Sequence, residues 1–142
     1  MIVYYDFQDN PITNQDGTPV KYSSVPNRSF YPYEKYYIDE DTKEQVDNTE
    51  NFDQTAAEED YLNKNVRITK AKVLEISDIF DAESYLDRLS AADKTAFKDW
   101  RNEWRDLTDT VRTANFTGWS FPTTPSFLPQ NEQTQINDLI GA

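Results

Sequence analysis

The side chains best suited to chemistry in this 142-residue chain are its carboxylates, ten of which lie between residues 39 and 60. Two carboxyl groups held at a fixed separation can hydrolyse glycosidic bonds, and clustered carboxylate oxygens can bind calcium. This segment, DEDTKEQVDNTENFDQTAAEED, has no glycine and no calcium-loop spacing of the D-x-[DN]-x-[DN]-G type. Its charges favour a solvated connector that self-repulsion keeps open. We therefore expect an acidic linker over residues 39–54 and no metal site.

Two absent residue types narrow the chemistry further, because the chain contains neither histidine nor cysteine. The usual general base near neutral pH is therefore missing, and so are the thiolate nucleophile, the disulfide and the thiolate metal site. Asp99 and Glu103 lie one helical turn apart, but their basic neighbours indicate a solvated face. We expect no catalytic residue, no cofactor and no enzymatic activity. A glycosidase that uses two of the carboxylates is the enzymatic alternative.

Charge and hydropathy limit the partners. A formal net charge of −12 argues against nucleic acid, because a polyanion repels phosphate. No window approaches the roughly 20 apolar residues of a membrane span, and MIVYYDFQDN has neither the basic region nor the apolar run of a signal peptide. We expect a soluble protein that binds neither nucleic acid nor membrane and acts in the compartment where it is made.

The clearest structural pattern surrounds the stretch KDWRNEWRDL. Ser90 and Asp93 form a capping box that predicts the start of a helix. The helix then carries apolar residues at spacings of three, four, three and four, which is a heptad-like seam; these are Phe97, Trp100, Trp104, Leu107 and Val111. Two interpretations of the seam stay open: it packs within the chain, or part of it contacts another chain, as tryptophan-rich hot spots do.

Other elements must position this helix. Residues 1–38 are rich in β-branched and aromatic residues with turn dipeptides between them, and they predict a small β-rich unit. A second capping box at Thr55 and Glu58 predicts a further helix, with a short helical turn over 82–88. The stripe of this further helix consists of Leu62, Val66, Val73 and Ile76. A strand over 66–74 is the alternative, because that run is β-branched.

The segment after the tryptophan helix is predicted to be extended. Residues 114–130 contain three prolines, and prolines interrupt regular hydrogen bonding. Gly118 suits the backbone that follows a helix end. The P-x-x-P spacing of PTTP is also found in ligands of adaptor domains, although the flanking basic residues are missing. The last stretch, QTQINDLIGA, is expected to form one amphipathic turn or to fray.

Together these patterns predict an α+β fold with four parts. A β-rich unit over 1–38 precedes the acidic linker over 39–54. A helical region over 55–113 forms a helical hairpin, and an extended strap and tail occupy 114–142.

The segment LSAADKTAFKDWRNEWRDLTDTVRTANFTGWSFPTTP, residues 89–125, resembles the C-terminal motif of tailed-phage tail fibre assembly proteins and of similar tail assembly chaperones. In that family a helix with aromatic and basic residues is followed by a short loop and a W-P-x-x-P-type ending. Trp100, Trp104, Arg105 and Leu107 or Thr108 correspond to the helix, with Trp104 in place of the usual tyrosine. Phe121, Pro122 and Pro125 correspond to the ending, with phenylalanine in place of tryptophan. The opening MIVYYDFQDNPIT is also similar to the β start of such proteins.

The resemblance implies a chaperone that binds the distal, receptor-binding end of a trimeric tail fibre in the host cytoplasm and helps it to fold or trimerise. Whether such a protein leaves the fibre stays open, so a permanent virion component, such as a baseplate or fibre adaptor, is the alternative. Homo-oligomerisation is also left open.

Two sets of residues are candidates for the binding surface. The first combines the helix with the segment after it, where the aromatic residues either lock the two together or contact the partner; it consists of Trp100, Trp104, Arg105, Trp119, Phe121, Pro122 and Pro125. The second is N-terminal, because tyrosine suits wet interfaces; it consists of Tyr4, Tyr5, Tyr31, Tyr33, Tyr36 and Tyr37.

Overall fold

The computed structural model describes residues 1–25 and 32–142, in which an antiparallel sheet precedes a series of helices. The mixed α+β fold expected from the sequence is confirmed. The chain divides into two compact units, Met1–Tyr61 and Leu62–Ala142, which we call the sheet unit and the helical unit. Within the described part of the chain, no helix is long and apolar enough to cross a membrane.

The sheet has four antiparallel strands in the order β2-β1-β3-β4. The strands are β1 Ile2–Tyr5, β2 Lys21–Tyr22, β3 Tyr36–Asp39 and β4 Gln45–Asp47. β1 lies centrally and is the most apolar strand, with Ile2, Val3 and Tyr4 buried. Successive side chains of a strand point to opposite faces, so the register decides which tyrosines are buried.

The acidic segment over 39–54 is not an open linker in the structure, because it contains β4 and the turn that leads into it. The Asp39 N–H donates to the Glu44 carbonyl across this turn, and Lys43 adopts a left-handed φ of 63°. In β4 the polar residues on either side of Val46 are exposed, whereas Val46 is half-buried opposite Tyr37. In the described sheet, β4 is an edge strand that pairs on one side only, and charged side chains are common on such strands. Because of its high charge, this segment was predicted to be a linker, whereas the structure has a short strand there.

Six helical segments follow. They are α1 Gln54–Leu62, a π-helical turn Asn63–Arg67, α2 Ile68–Asp78, α3 Glu83–Leu86, α4 Ala91–Thr113 and α5 Gln130–Ile140. The strand alternative over 66–74 is therefore wrong. The cap of α1 also differs from the prediction: the Asp53 carboxylate, rather than Thr55, accepts a hydrogen bond from the Ala56 N–H at 3.1 Å.

In the helical unit, α2 packs against both α4 and α5. The Lys70 ammonium donates to the Arg105 carbonyl, while the Arg101 guanidinium near the other end of the contact donates to the Asp78 carboxylate. The earlier residue of α2 contacts the later residue of α4, and the later residue of α2 contacts the earlier residue of α4. The two helices are therefore antiparallel and form a hairpin. Of the predicted stripe, Leu62, Val66 and Val73 are fully buried and Ile76 is half-buried.

The tail differs from the prediction, because α5 is a helix of 11 residues rather than a frayed turn. Pro129 lies just before its first residue, and Gly141 follows its last residue with a left-handed φ of 73°. Both are typical boundary residues of a helix. Ile136 is fully buried and anchors α5 in the helical unit.

Candidate partner-binding surface

Helix α4 is the element that positions the first candidate surface. The Ser90 hydroxyl accepts a hydrogen bond from the Asp93 N–H at 3.1 Å, so the predicted cap is confirmed. Every apolar residue of the predicted seam is buried, and Trp104 has no exposed surface. Neighbouring rings along the seam are in contact, with the Trp100 and Trp104 centroids 6.5 Å apart in an edge-to-face arrangement. The seam is therefore core within this unit.

At the C-terminal end of α4 a capping motif reverses the direction of the chain. The Phe116 N–H donates to the Val111 carbonyl and the Asn115 N–H donates to the Arg112 carbonyl. This is the Schellman pattern, in which Asn115 takes the left-handed position, with φ 56°. Phe116 and Val111 are both buried, as expected where an apolar contact accompanies the motif. Gly118, the residue expected at such a position, has a left-handed φ of 68° in the following turn.

Residues 114–129, which connect α4 to α5 and are called the strap from here on, return across the tryptophan helix. The Phe121 ring stacks on Trp104 with centroids 5.5 Å apart and an interplanar angle of 23°. Trp119 contacts the same Phe121 ring edge to face at 5.1 Å. Pro122 is buried and Pro125 is half-buried. The structure thus brings together three of the predicted aromatic positions, Trp104, Trp119 and Phe121.

Helix α5 holds the far end of the strap. The Thr124 hydroxyl donates to the Asn137 side-chain oxygen at 2.6 Å. The Gln133 amide donates to the carbonyls of Ser126 and Leu128 at 2.9 and 2.5 Å. The strap has no regular backbone hydrogen bonding, and these bonds from α5 provide donors for two of its backbone carbonyls. The strap is therefore fixed at both ends, by ring stacking at α4 and by hydrogen bonds at α5.

Between the strap and the C-terminal end of α5 lies a groove of about 530 Å³. Trp119 and Phe121 contribute to its wall and are half-buried, while Ile140 contributes from α5. Two ring systems fixed in place but open on one side present apolar surface at little entropic cost. We call this the strap groove.

The remaining residues of the first set have different surroundings. Trp100 is buried, and its ring contacts those of Phe97 and Trp104. Arg105 is exposed and forms a long ion pair of 4.0 Å with Asp81. The indole N–H groups of Trp100 and Trp104 are buried and have no acceptor within the described residues. Their rings therefore stabilise the unit by apolar packing.

Arg101 is a structural residue that the sequence did not reveal. Its side chain is 5% exposed and donates to the Ser77 hydroxyl, the Leu74 carbonyl and the Asp78 carboxylate. These acceptors lie in the last turn of α2, where a cation also complements the helix dipole. A charged residue between two tryptophans looked like part of a solvated face, and its burial depends on residues far away in the sequence.

The second candidate surface is only partly at the surface. Tyr4 is fully buried, with the rings of Tyr22 and Tyr37 edge to face at 5.7 Å on either side, so its prediction as a surface residue is wrong. The register puts Tyr5 and Tyr36 on the opposite face from Tyr4, stacked at 5.0 Å.

The other tyrosines of that set differ in accessibility. Tyr37 is half-buried, Tyr33 is 38% exposed, and Tyr31 lies outside the described residues. Burial raises the pKa of Tyr36 above its ordinary value, and the Asp9 carboxylate raises it further. Among the described tyrosines of this set, only Tyr33 is exposed.

No grouping of side chains that could hold a metal ion occurs in residues 1–25 and 32–142. Comparisons with known proteins add no relative: no protein-family model, no curated protein and no solved structure matches this chain. The assignment of function therefore depends on the residues themselves.

Proposed function

We propose that this protein is a tail fibre assembly chaperone of a tailed phage, which binds the distal part of a fibre through the strap groove and assists its folding or trimerisation. The observation that carries the proposal is the pair of half-exposed rings, Trp119 and Phe121, held rigidly on α4 by the stacking of Phe121 on Trp104. These residues belong to the segment that resembles the C-terminal motif of the assembly family.

The strap groove has properties that suit the recognition of apolar protein surface. Tryptophan is enriched among residues whose truncation weakens protein interfaces most, and it acts best in a preformed pocket. The strap is fixed at both ends, so little conformational entropy is lost when a partner binds. A chaperone for a folding fibre would use such a surface to cover apolar fibre residues before the trimer buries them.

The charge of the chain supports the same role. At a formal −12, molecules repel one another, which limits self-association through exposed rings while they await a partner. Acidic residues far outnumber basic ones, so a cationic or neutral fibre surface would be preferred over an acidic one. We expect no enzymatic step in this function.

Co-expression with a tail fibre protein of the same phage tests the proposal. The fibre is produced alone, with the wild-type protein, and with the Trp119→Ala variant, and the soluble fraction is analysed by size-exclusion chromatography with light scattering. We expect soluble trimeric fibre only with the wild-type protein, because Trp119 lines the strap groove.

Each outcome of this experiment has a defined meaning. Fibre that is equally soluble and trimeric without the protein would contradict the chaperone function. Co-elution of the protein with the mature trimer, followed by its detection in purified particles, would instead assign a permanent virion component. Trimeric fibre without bound protein would show release after assembly.

A further inference from the structure

A second groove, of about 730 Å³, lies between α2 and α5 and has no part in the proposal above. Its floor is apolar and consists of Ile76 and Ile79 from the end of α2 and Leu139 from α5. Its rim is charged and consists of Lys72, Glu75, Glu132 and Asp138, with Gln135 between them. We call this the α2–α5 groove.

Ile79 makes the floor unusual. Ile79 directly follows α2, and its side chain is 67% exposed, whereas the nearby residues Ser77 and Phe80 are buried. A single exposed isoleucine is ordinary on a protein surface, and Ile68, the first residue of α2, is an example at 56% exposure. Ile79 differs from Ile68 because it adjoins two further apolar side chains in a concave site. Concave apolar surface of this kind is typical of binding sites.

The rim determines which partner fits. Three carboxylates, Glu75, Glu132 and Asp138, face one ammonium group, and none of the three forms an ion pair within residues 1–25 and 32–142. The Glu132 charge also reaches Tyr85, whose pKa is raised first by burial and then by this carboxylate. A cationic partner would neutralise this local excess of negative charge, whereas a second copy of this acidic chain would add to it.

We propose that the α2–α5 groove binds a basic amphipathic helix of a partner protein. Its apolar residues would lie on Ile76, Ile79 and Leu139, and its lysine or arginine side chains would pair with the rim carboxylates. The lining residues span 72–79 and 132–139, about 12 Å of helix on each side, so the groove matches about two turns of a bound helix. Such docking is the helix-in-groove mode, in which apolar anchors at i, i+3, i+4 and i+7 enter a groove.

A designed peptide tests this inference without any fibre, so its result is independent of the proposed function. The probe is a fluorescently labelled helix of about 18 residues with leucine at the seam positions and lysine elsewhere. One control peptide replaces every leucine with serine at the same charge, and another replaces every lysine with glutamate. Fluorescence anisotropy against the full-length protein gives the three affinities.

Two matched variants locate the site. Ile79→Asp places a charge on the groove floor, and Ile68→Asp makes the same change at an exposed position outside the groove. We expect Ile79→Asp to weaken binding of the leucine–lysine peptide by at least about tenfold and Ile68→Asp by less than about twofold. Glu75→Lys should weaken binding more than Asp99→Lys, which changes an exposed carboxylate on α4.

The inference is overturned if the leucine–lysine peptide does not bind, or if the serine–lysine peptide binds equally well, since charge alone would then explain the affinity. Equal effects of Ile79→Asp and Ile68→Asp would also overturn it, because the peptide would then be bound elsewhere. Light scattering of the unbound protein covers the remaining occupant: a dimer that Ile79→Asp dissociates would assign the groove to a second copy of the chain instead.

Discussion

The sheet unit and the helical unit differ in both charge and core. The sheet unit contains 14 acidic and 4 basic residues, whereas the helical unit contains 12 acidic and 10 basic residues. The core of the sheet unit is small, with Ile2, Val3, Tyr4 and Ala57 buried. The helical unit buries a continuous series of aromatic and aliphatic side chains along α4. The charge of the chain is thus concentrated where its apolar core is smallest.

Because of this difference, the two units should respond differently to perturbation. Apolar burial stabilises by roughly 25 cal/mol per Å² and involves no charges that salt can screen, whereas repulsion among surface carboxylates is screened by salt. We therefore expect the helical unit to be sensitive to truncation of its aromatic residues, and the sheet unit to be sensitive to solution conditions.

The largest effect is expected for Trp104→Ala, because Trp104 has no exposed surface and contacts both Trp100 and the strap. Removal of a buried tryptophan typically costs about 3–5 kcal/mol, since the cavity that remains cannot close fully. We expect this loss in the free energy of unfolding of the helical unit, measured by chemical denaturation. Amide hydrogen exchange should show that β1 and β3 stay protected.

Trp104→Phe is the matched control, because it keeps a ring against Phe121 and should lose less than half as much stability. Equal loss of protection in both units after Trp104→Ala would show that they unfold as one, and the comparison between them would fail. A loss below about 1 kcal/mol would contradict the structural role of the seam.

An intermediate effect is expected for Arg101→Ala. The Arg101 side chain is 5% exposed, whereas its ion-pair partner Asp78 is 64% exposed. Truncation of Arg101 leaves the Ser77 hydroxyl and the Leu74 carbonyl without this donor and removes packed methylene groups, so we expect a loss of about 2–3 kcal/mol.

Asp78→Asn provides the contrast to this variant and should cost less than about 1 kcal/mol, because solvent already screens the carboxylate. Thermal denaturation of both variants measures the two effects. If they were equal, the ion pair rather than the burial of Arg101 would be the stabilising element.

A smaller effect is expected from salt. The sheet unit has a formal charge of −10, and the helical unit has −2. An increase in sodium chloride should raise the thermal midpoint of the sheet unit, because screening weakens its self-repulsion within a Debye length of about 8 Å at physiological ionic strength. Exposed pairs such as Lys35–Asp9, at 3.3 Å, will offset part of this gain. Residue-resolved thermal unfolding by NMR would reveal it, and an equal gain in the helical unit would contradict the comparison.

The smallest effect concerns one tyrosine in each unit. Burial raises the pKa of both Tyr36 and Tyr85 above the ordinary value of 10.0. The folded state therefore binds the phenol proton more tightly than the unfolded state does. The stabilisation that results from this difference in pKa is fully present below pH 10 and decreases as the pH rises towards the folded-state pKa. Tyr36→Phe should reduce the alkaline destabilisation of the sheet unit alone, and Tyr85→Phe that of the helical unit alone. Phenolate absorbance and hydrogen exchange against pH measure both; an unchanged alkaline profile in either variant would contradict the assignment.

The sequence predicted α4 and its cap well because their determinants are local. The spacing of the seam and the position of Ser90 suffice to define a helix with one apolar face, and its burial follows from the size of that face. The strap was also predictable as an extended segment, since its prolines exclude a regular helix. The stacking of Phe121 on Trp104 was open as one of two interpretations, and the structure shows this intramolecular contact.

Other features could not be read locally. Tyr4 and Tyr5 are adjacent and chemically identical, and only the pairing register with β3 determines which one is buried. The strand at Val46 was hidden by charge, and α5 was hidden because few apolar residues stand among many polar ones. A signal for α5 was nevertheless present, since Pro129 and Gly141 bound the segment and Ile136, Leu139 and Ile140 follow helical spacing.

The binding surface itself is the point at which the two units can be compared most directly. Each contains an accessible aromatic side chain from the candidate sets: the half-buried Trp119 at the strap groove and Tyr33, 38% exposed, in the sheet unit. Alanine at either position removes a ring that is not fully buried, so both variants should stay folded, which hydrogen exchange confirms before binding is measured.

The decisive measurement is the affinity of the distal fibre fragment for the wild-type protein, for Trp119→Ala and for Tyr33→Ala, determined by isothermal titration calorimetry. We predict that Trp119→Ala weakens binding by at least about 2 kcal/mol, or roughly thirtyfold, as expected for a hot-spot tryptophan, and that Tyr33→Ala leaves it nearly unchanged. Unchanged affinity in Trp119→Ala, or a loss confined to Tyr33→Ala, would contradict the assignment of the strap groove as the fibre-binding surface.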